Sequence, residues 1–296
     1  MRATAKHSAL EFAGLIWRLA VYFTVLIASF RLLSMSYGWV MHAFGVHFAS
    51  APGVKPAEAV GLGQARLLIA AGLACVITAR FGRDRLDPML PIHSKATSHL
   101  LQGAFWGFLG IGATIGAIAC FGGYRVSGLA LSGAALAYYL PLWLLVAVVN
   151  GLAENFALMG YPLFRVARAT GWAPAALLVG IVFAAAHLGN PGENPIGIAS
   201  VFLIGVLMAT TIWLTGNLWL SVGIHAGVIL GEDLVFSVPD SGTTYTGHLL
   251  ASHLTGPLWL SGGDAGPEGS ALALPVFAVL LAVLWLVYRR RPVADD

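Results

Sequence analysis

Charge is what this 296-residue chain has least of: 10% of its residues are Asp, Glu, Lys or Arg, against 58% hydrophobic, with mean hydropathy +0.82. Soluble domains carry about a quarter charged residues, so a soluble fold could not hide this much apolar surface. Cysteine is nearly absent too. Cys75 and Cys120 fall near opposite membrane faces in the span assignment below, which excludes a disulfide framework or a cysteine-built metal site. No small-x-small cleavage site follows the first apolar run, and Glu11 and Arg18 interrupt it, so it reads as a first span rather than a removed leader. The formal charge of +3 sits in short loops, where membrane topology explains it better than nucleic-acid binding does. No internal repeat of the transporter kind is visible, and the His-Glu-x-x-His signature of soluble metalloproteases is missing.

What is present is a series of apolar runs of about 18 residues or more, each long enough as a helix to cross a ~30 Å hydrocarbon core. Helices are expected because lipid cannot satisfy backbone polar groups. The sequence predicts an all-α, polytopic transmembrane bundle with about eight spans, near 14–34, 62–80, 98–121, 131–151, 172–188, 197–214, 218–236 and 271–288. Apolar character continues past Arg31 to Trp39, which leaves room for an extra interfacial segment. Arg2, Lys6, Arg80, Arg83, Arg85, Lys95, Arg165, Arg168 and Arg289 to Arg291 fall on one side, the expected cytoplasmic side, with both termini. The opposite loops hold only Lys55 and Arg125, and the longest, 237–270, reads as a plain external connection rich in Gly, Ser and Thr. Three regions are expected: N-terminal spans and a cytoplasmic loop over 1–97, a core over 98–242, and an external loop, last helix and basic tail over 243–296.

Ionisable groups inside apolar runs are the informative ones, since a charge at the bilayer centre costs at least ~2.5–3.5 kcal/mol. Glu154, His187, His225 and Glu232 stand out. If the chain turns at Thr170–Gly171 between antiparallel helices, Glu154 and His187 both lie roughly 24–26 Å along their helices and are level. His225, eight residues after the turn at Thr215–Gly216–Asn217, would be only about 12 Å deep, a mismatch of two turns. A lone membrane histidine is often just a partner in a helix–helix hydrogen bond. A carboxylate at the depth of Glu154 is harder to explain that way, because it needs a partner or a neutralising proton. Glu232 and Asp233 sit near the outer end of their span and read as interfacial.

These residues, in this order, resemble the CPBP family of intramembrane endopeptidases, also called the ABI or CAAX-protease and bacteriocin-processing family, which includes the type II CAAX prenyl proteases. The family's first motif, two glutamates followed four and five positions on by arginine and glycine, corresponds to Glu154-Asn155-Phe156-Ala157-Leu158-Met159-Gly160. The second, Phe-x-x-x-His, is Phe183 to His187, followed by Leu188-Gly189-Asn190-Pro191. The third, His-x-x-x-Asn/Asp, is His225 to Ile229, with Pro239-Asp240-Ser241-Gly242 downstream. The similarity covers about 98–242 and is strongest from 150 on. It implies peptide-bond hydrolysis in or near the membrane, with Glu154 as general base, His187 positioning the water and His225 stabilising the oxyanion.

Three positions depart from the motifs. Asn155 replaces a glutamate and Met159 the arginine, a pair that would interact four apart on one helix face. Ile229 replaces the Asn or Asp thought to assist the histidine, and Ile has no polar group. Glu232, seven residues past His225, is on nearly the same helical face and could supply one. No cofactor is expected; the alternative is a divalent metal such as zinc on Glu154, His187 and His225, since two histidines and a glutamate make a legitimate catalytic set. The expected partners are a peptide or protein substrate, prenylated or not, and the lipid bilayer, with no nucleic acid. An impaired relative serving as a scaffold or immunity-type protein remains open, as does a proton relay.

Overall fold

The computed structural model describes residues 2–48, 51, 53–82 and 95–289, with side chains described from Phe12 onward. Arg83, Arg85, Arg290 and Arg291 lie outside the described residues, as do the side chains of Arg2 and Lys6, although all six entered the orientation argument. Helices occupy all eight expected spans: α1 (Arg2–Ala43), α2 (Ala57–Gly82), α3 (Ala96–Cys120), α4 (Gly133–Met159) with its extension α5 (Tyr161–Thr170), α6 (Trp172–His187), α7 (Pro195–Thr215), α8 (Trp219–Ile229) running into a π-helical turn (Leu230–Phe236), and, after the short α9 (Leu258–Ser261), α10 (Ala273–Tyr288). Six of the spans are long and apolar enough to cross a membrane, and α6 and α10 are shorter apolar helices. Exposed Leu73, Phe105, Leu145, Ile181 and Val279 are the expected face of such a bundle towards lipid.

The extra interfacial segment after Arg31 does not form. No proline interrupts the run, and α1 continues as one helix through Trp39. The continuous helix assumed from Glu154 to Thr170 is also absent. The chain breaks at Gly160, whose φ of −74° and ψ of −116° are not helical, and restarts as the amphipathic α5. Fully buried Tyr22 of α1 packs against this break, donating to Ala157 O at 2.9 Å and stacking on Tyr161 at 5.5 Å.

The closest helix packing in the molecule is made by backbone. Gly103 and Gly107 of α3 face Gly223 and Gly227 of α8, two Gly-x-x-x-Gly pairs in register. A Cβ added at Gly107 would lie 1.9 Å from Ile224 O, and one at Gly223 would lie 2.2 Å from Leu100 O. Small residues at four-residue spacing let two membrane helices meet in this way, where van der Waals contact replaces the missing hydrophobic drive. On the α4 side Gly151 does the same, with Val222 O at 2.6 Å from its would-be Cβ. His225 is thus carried on a helix held against both α3 and α4.

The connections at one end of the bundle are ordered against one another. β1 (Val54–Lys55) pairs in parallel with β3 (Thr244–Tyr245), and β2 (Tyr124–Leu129) pairs antiparallel with β4 (Leu250–Leu254). Asn194, the N-cap of α7, donates to Gly262 O at 3.1 Å. The 237–270 segment is therefore not a plain connection: its glycines at positive φ, such as Gly242 and Gly262, allow tight turns that fold it back over the bundle.

Candidate active site

Glu154 lies on α4 six residues before the Gly160 break, and the two-turn mismatch expected with His225 does not keep the two apart. His225 Nε2 lies 3.7 Å from Glu154 Oε2, close enough for strong electrostatic coupling and too long for a direct hydrogen bond. The other oxygen, Oε1, accepts from Gln64 Nε2 of α2 at 3.0 Å. Gln64 was not singled out from sequence, where it is a lone amide near the start of a span.

Asn155 has a different role from the lost Glu–Arg partner expected of it. Its Nδ2 donates to Gly151 O at 2.8 Å, and because a carbonyl only accepts, the amide orientation is fixed. The same nitrogen lies 3.3 Å from His225 Nδ1, which must then be the acceptor. Asn155 Oδ1 accepts from Ser221 of α8. The neutral imidazole therefore carries its proton on Nε2, facing Glu154. Met159 is fully buried in the main core and takes no part.

His187 ends α6 and its Nδ1 donates to Phe183 O at 2.8 Å, leaving Nε2 as its available nitrogen. The Phe183 ring lies between the two histidines, 4.9 Å from His187 and 6.1 Å from His225. Glu154, His187 and His225 all line one cavity of about 390 Å³, shared with Gln64, Asn150 and Ile229. Ile229 is 3% exposed and brings no polar atom to this wall.

The 237–270 loop also lines the cavity, through Asp240, Ser241, Thr243, Tyr245 and Glu268. Burial, then the neighbouring Glu268, pushes the Asp240 carboxyl up to about 7. Burial likewise raises Glu268, and it holds the Tyr245 phenol far above its usual range. Glu232 is fully buried rather than interfacial, and Asp233 is nearly so. Glu232 is not a stand-in for Ile229 either: the π turn starting at Leu230 advances fewer degrees per residue than an α-helix, and Glu232 turns towards Asp240 and Glu268. Among the described residues, the group of metal-ligating side chains whose ligand atoms all lie within 4.8 Å of one another is Glu232, Asp240 and Glu268. Glu154, His187 and His225 do not form such a group, so in this arrangement they do not converge to the ~2.0–2.2 Å distances zinc requires.

The fold and site together define a polytopic membrane protein with a carboxylate and two histidines around a cavity inside the bundle. Residues 135–230, which contain most of α4, all of α5 to α8 and all three motifs, match the family model described as type II CAAX prenyl endopeptidase Rce1-like. The family that the motifs resemble is thus the one whose model this region matches, and the helices are those of an integral membrane protein. No curated protein matches the chain.

Proposed function

We propose that this protein is an intramembrane endopeptidase hydrolysing a peptide bond of a membrane-associated substrate, of CAAX or leader-peptide type. The observation that carries the reading is the 3.7 Å approach of Glu154 Oε2 to His225 Nε2 beside His187, in one cavity within the bundle. Glu154 Oε2 takes a proton from water while the water oxygen bonds to the scissile carbonyl carbon. The resulting oxyanion accepts a hydrogen bond from His225 Nε2–H, and His187 Nε2 orients the water. As the carbon–nitrogen bond breaks, the proton held by Glu154 passes to the leaving amine. Gln64 fixes the second carboxylate oxygen, so Oε2 is the basic one.

The proposed route is metal-free. Activity lost to a chelator and restored by zinc would replace it with a metal-assisted one. A second reading is favoured by Ile229: with no donor at that wall, the chain is a catalytically impaired relative that binds peptides as a scaffold or immunity-type protein. Loss of one oxyanion donor costs about 10²–10³ in rate in other hydrolases. Purified protein assayed on a panel of fluorogenic and prenylated peptides separates the two. Cleavage by the wild type, abolished in Glu154→Gln, is the expected result, and cleavage retained by Glu154→Gln would overturn the assignment. Cleavage gained only in Ile229→Asn would establish the impaired relative.

A further inference from the structure

Three carboxylates outside the Glu154–His225 pair converge where the end of α8 meets the outer loop. Glu232 comes from the π turn, Asp240 from the loop just after it, and Glu268 from the 3-10 turn Pro267–Gly269 ahead of α10. One oxygen of each lies within 4.8 Å of the other two. Asp233 is a fourth carboxyl nearby, subject to the charges of Asp240 and Glu268.

An acidic cluster alone is not a binding site, since such groups can share protons. Glu232 supplies the independent observation. Its side chain is 0% exposed, it is aimed into the cluster, and neither of its oxygens receives a hydrogen bond. A buried carboxylate with no donor is costly, and removing its partner from a buried charge is among the more destabilising changes known. A cation at the focus of the three groups satisfies Glu232 and offsets their mutual repulsion in one step. Ser241, which donates to Glu268 Oε2 at 2.6 Å, holds one of the ligands in orientation.

The donor set selects the ion. All the ligand atoms are carboxylate oxygens, with no imidazole or thiolate among them, which favours a hard cation over zinc or copper. Calcium binds oxygen at about 2.3–2.6 Å, so oxygens up to about 5 Å apart can share it, whereas magnesium at about 2.1 Å needs them within about 4.2 Å. We propose that Glu232, Asp240 and Glu268 bind a calcium-like divalent cation that clips the outer loop to the end of α8 and roofs the cavity beside His187. The site does not depend on whether the protein cleaves peptides.

The test uses full-length protein stripped with a chelator and exchanged into detergent buffer. Equilibrium dialysis with radioactive calcium should find about one ion per chain, and the melting temperature should rise by about 5 °C at a hundredfold excess over Kd. Glu232→Gln and Asp240→Asn should lose both effects, while Glu154→Gln should keep both. Stripped wild type and Glu154→Gln decide the question even if the cluster variants fail to fold. No saturable binding of calcium, magnesium or manganese to the wild type would overturn the proposal in favour of shared protons. Binding that survives Glu232→Gln, or that disappears in Glu154→Gln, would overturn it by placing the ion elsewhere.

Discussion

The amide of Asn155 has both of its hydrogens committed, one to Gly151 O and one to His225 Nδ1, while its oxygen takes the Ser221 hydroxyl. A side chain so placed sets which imidazole nitrogen carries the proton without touching a substrate, so Asn155 is a positioning residue. Asn155→Leu, close to Asn in volume but without polar atoms, is expected to lower kcat on the order of 10²-fold with KM little changed, and to move the pH dependence of kcat. Asn155→Gln or →Asp, each keeping a polar group, should recover part of the loss. An unchanged pH profile in Asn155→Leu would show that the amide only fills space. Glu154, His187 and His225 were legible in the sequence because ionisable groups are rare in apolar runs. Gln64 was not, because a neutral amide near a span end raises no alarm. Asp240 was visible only as part of a familiar string, and Glu268 not at all, because both sit in a loop where acids are ordinary until folding buries them.

At the scale of elements, the contact between α3 and α8 decides where His225 stands, and it leaves no room for a methyl group. The Gly-x-x-x-Gly spacing on both helices was in plain view, yet it signifies only when the partner helix is known. Gly107→Ala puts a Cβ 1.9 Å from a backbone oxygen, which no rotamer change relieves. The helices must part, at an expected cost of about 1–3 kcal/mol. Because α8 would then move as a unit, cleavage should fall more steeply than the melting temperature does. Gly116→Ala, on the same helix with nothing within 4 Å of its would-be Cβ, is the control and should leave both unchanged. Equal behaviour of the two variants would mean that the α3–α8 contact is looser than drawn. Other features of the elements were beyond sequence reasoning for physical reasons. The break at Gly160 depends on Tyr22 and Tyr161 stacking from a helix far away in the chain. The ordering of 237–270 depends on strand partners at 54–55 and 124–129. A periodicity scan sees neither kind of long-range pairing.

For the whole molecule, the helices at the eight expected positions follow from hydropathy, and the arrangement of the connections turns them into a topology that can be measured. The strand pairs β1–β3 and β2–β4 gather the loops poor in Lys and Arg at one end of the bundle. Arg80, Arg165, Arg168 and Arg289 end or follow helices that run to the other end. Positive residues are retained on the cytoplasmic side during insertion, so the strand-bearing end, and with it the loop residues Asp240 and Thr243 that line the cavity, is expected to face outward. Native Cys120 is exposed at that end and Cys75 is buried, so the labelling background is set by Cys120 alone. In a Cys120→Ala background, Ser127→Cys on exposed β2 should react with a membrane-impermeant maleimide in intact cells, while Ala169→Cys at the exposed end of α5 should react only after permeabilisation. The reverse pattern would place the strand-bearing end in the cytoplasm. The calcium-like site on the loop would then face a compartment where free calcium is scarce.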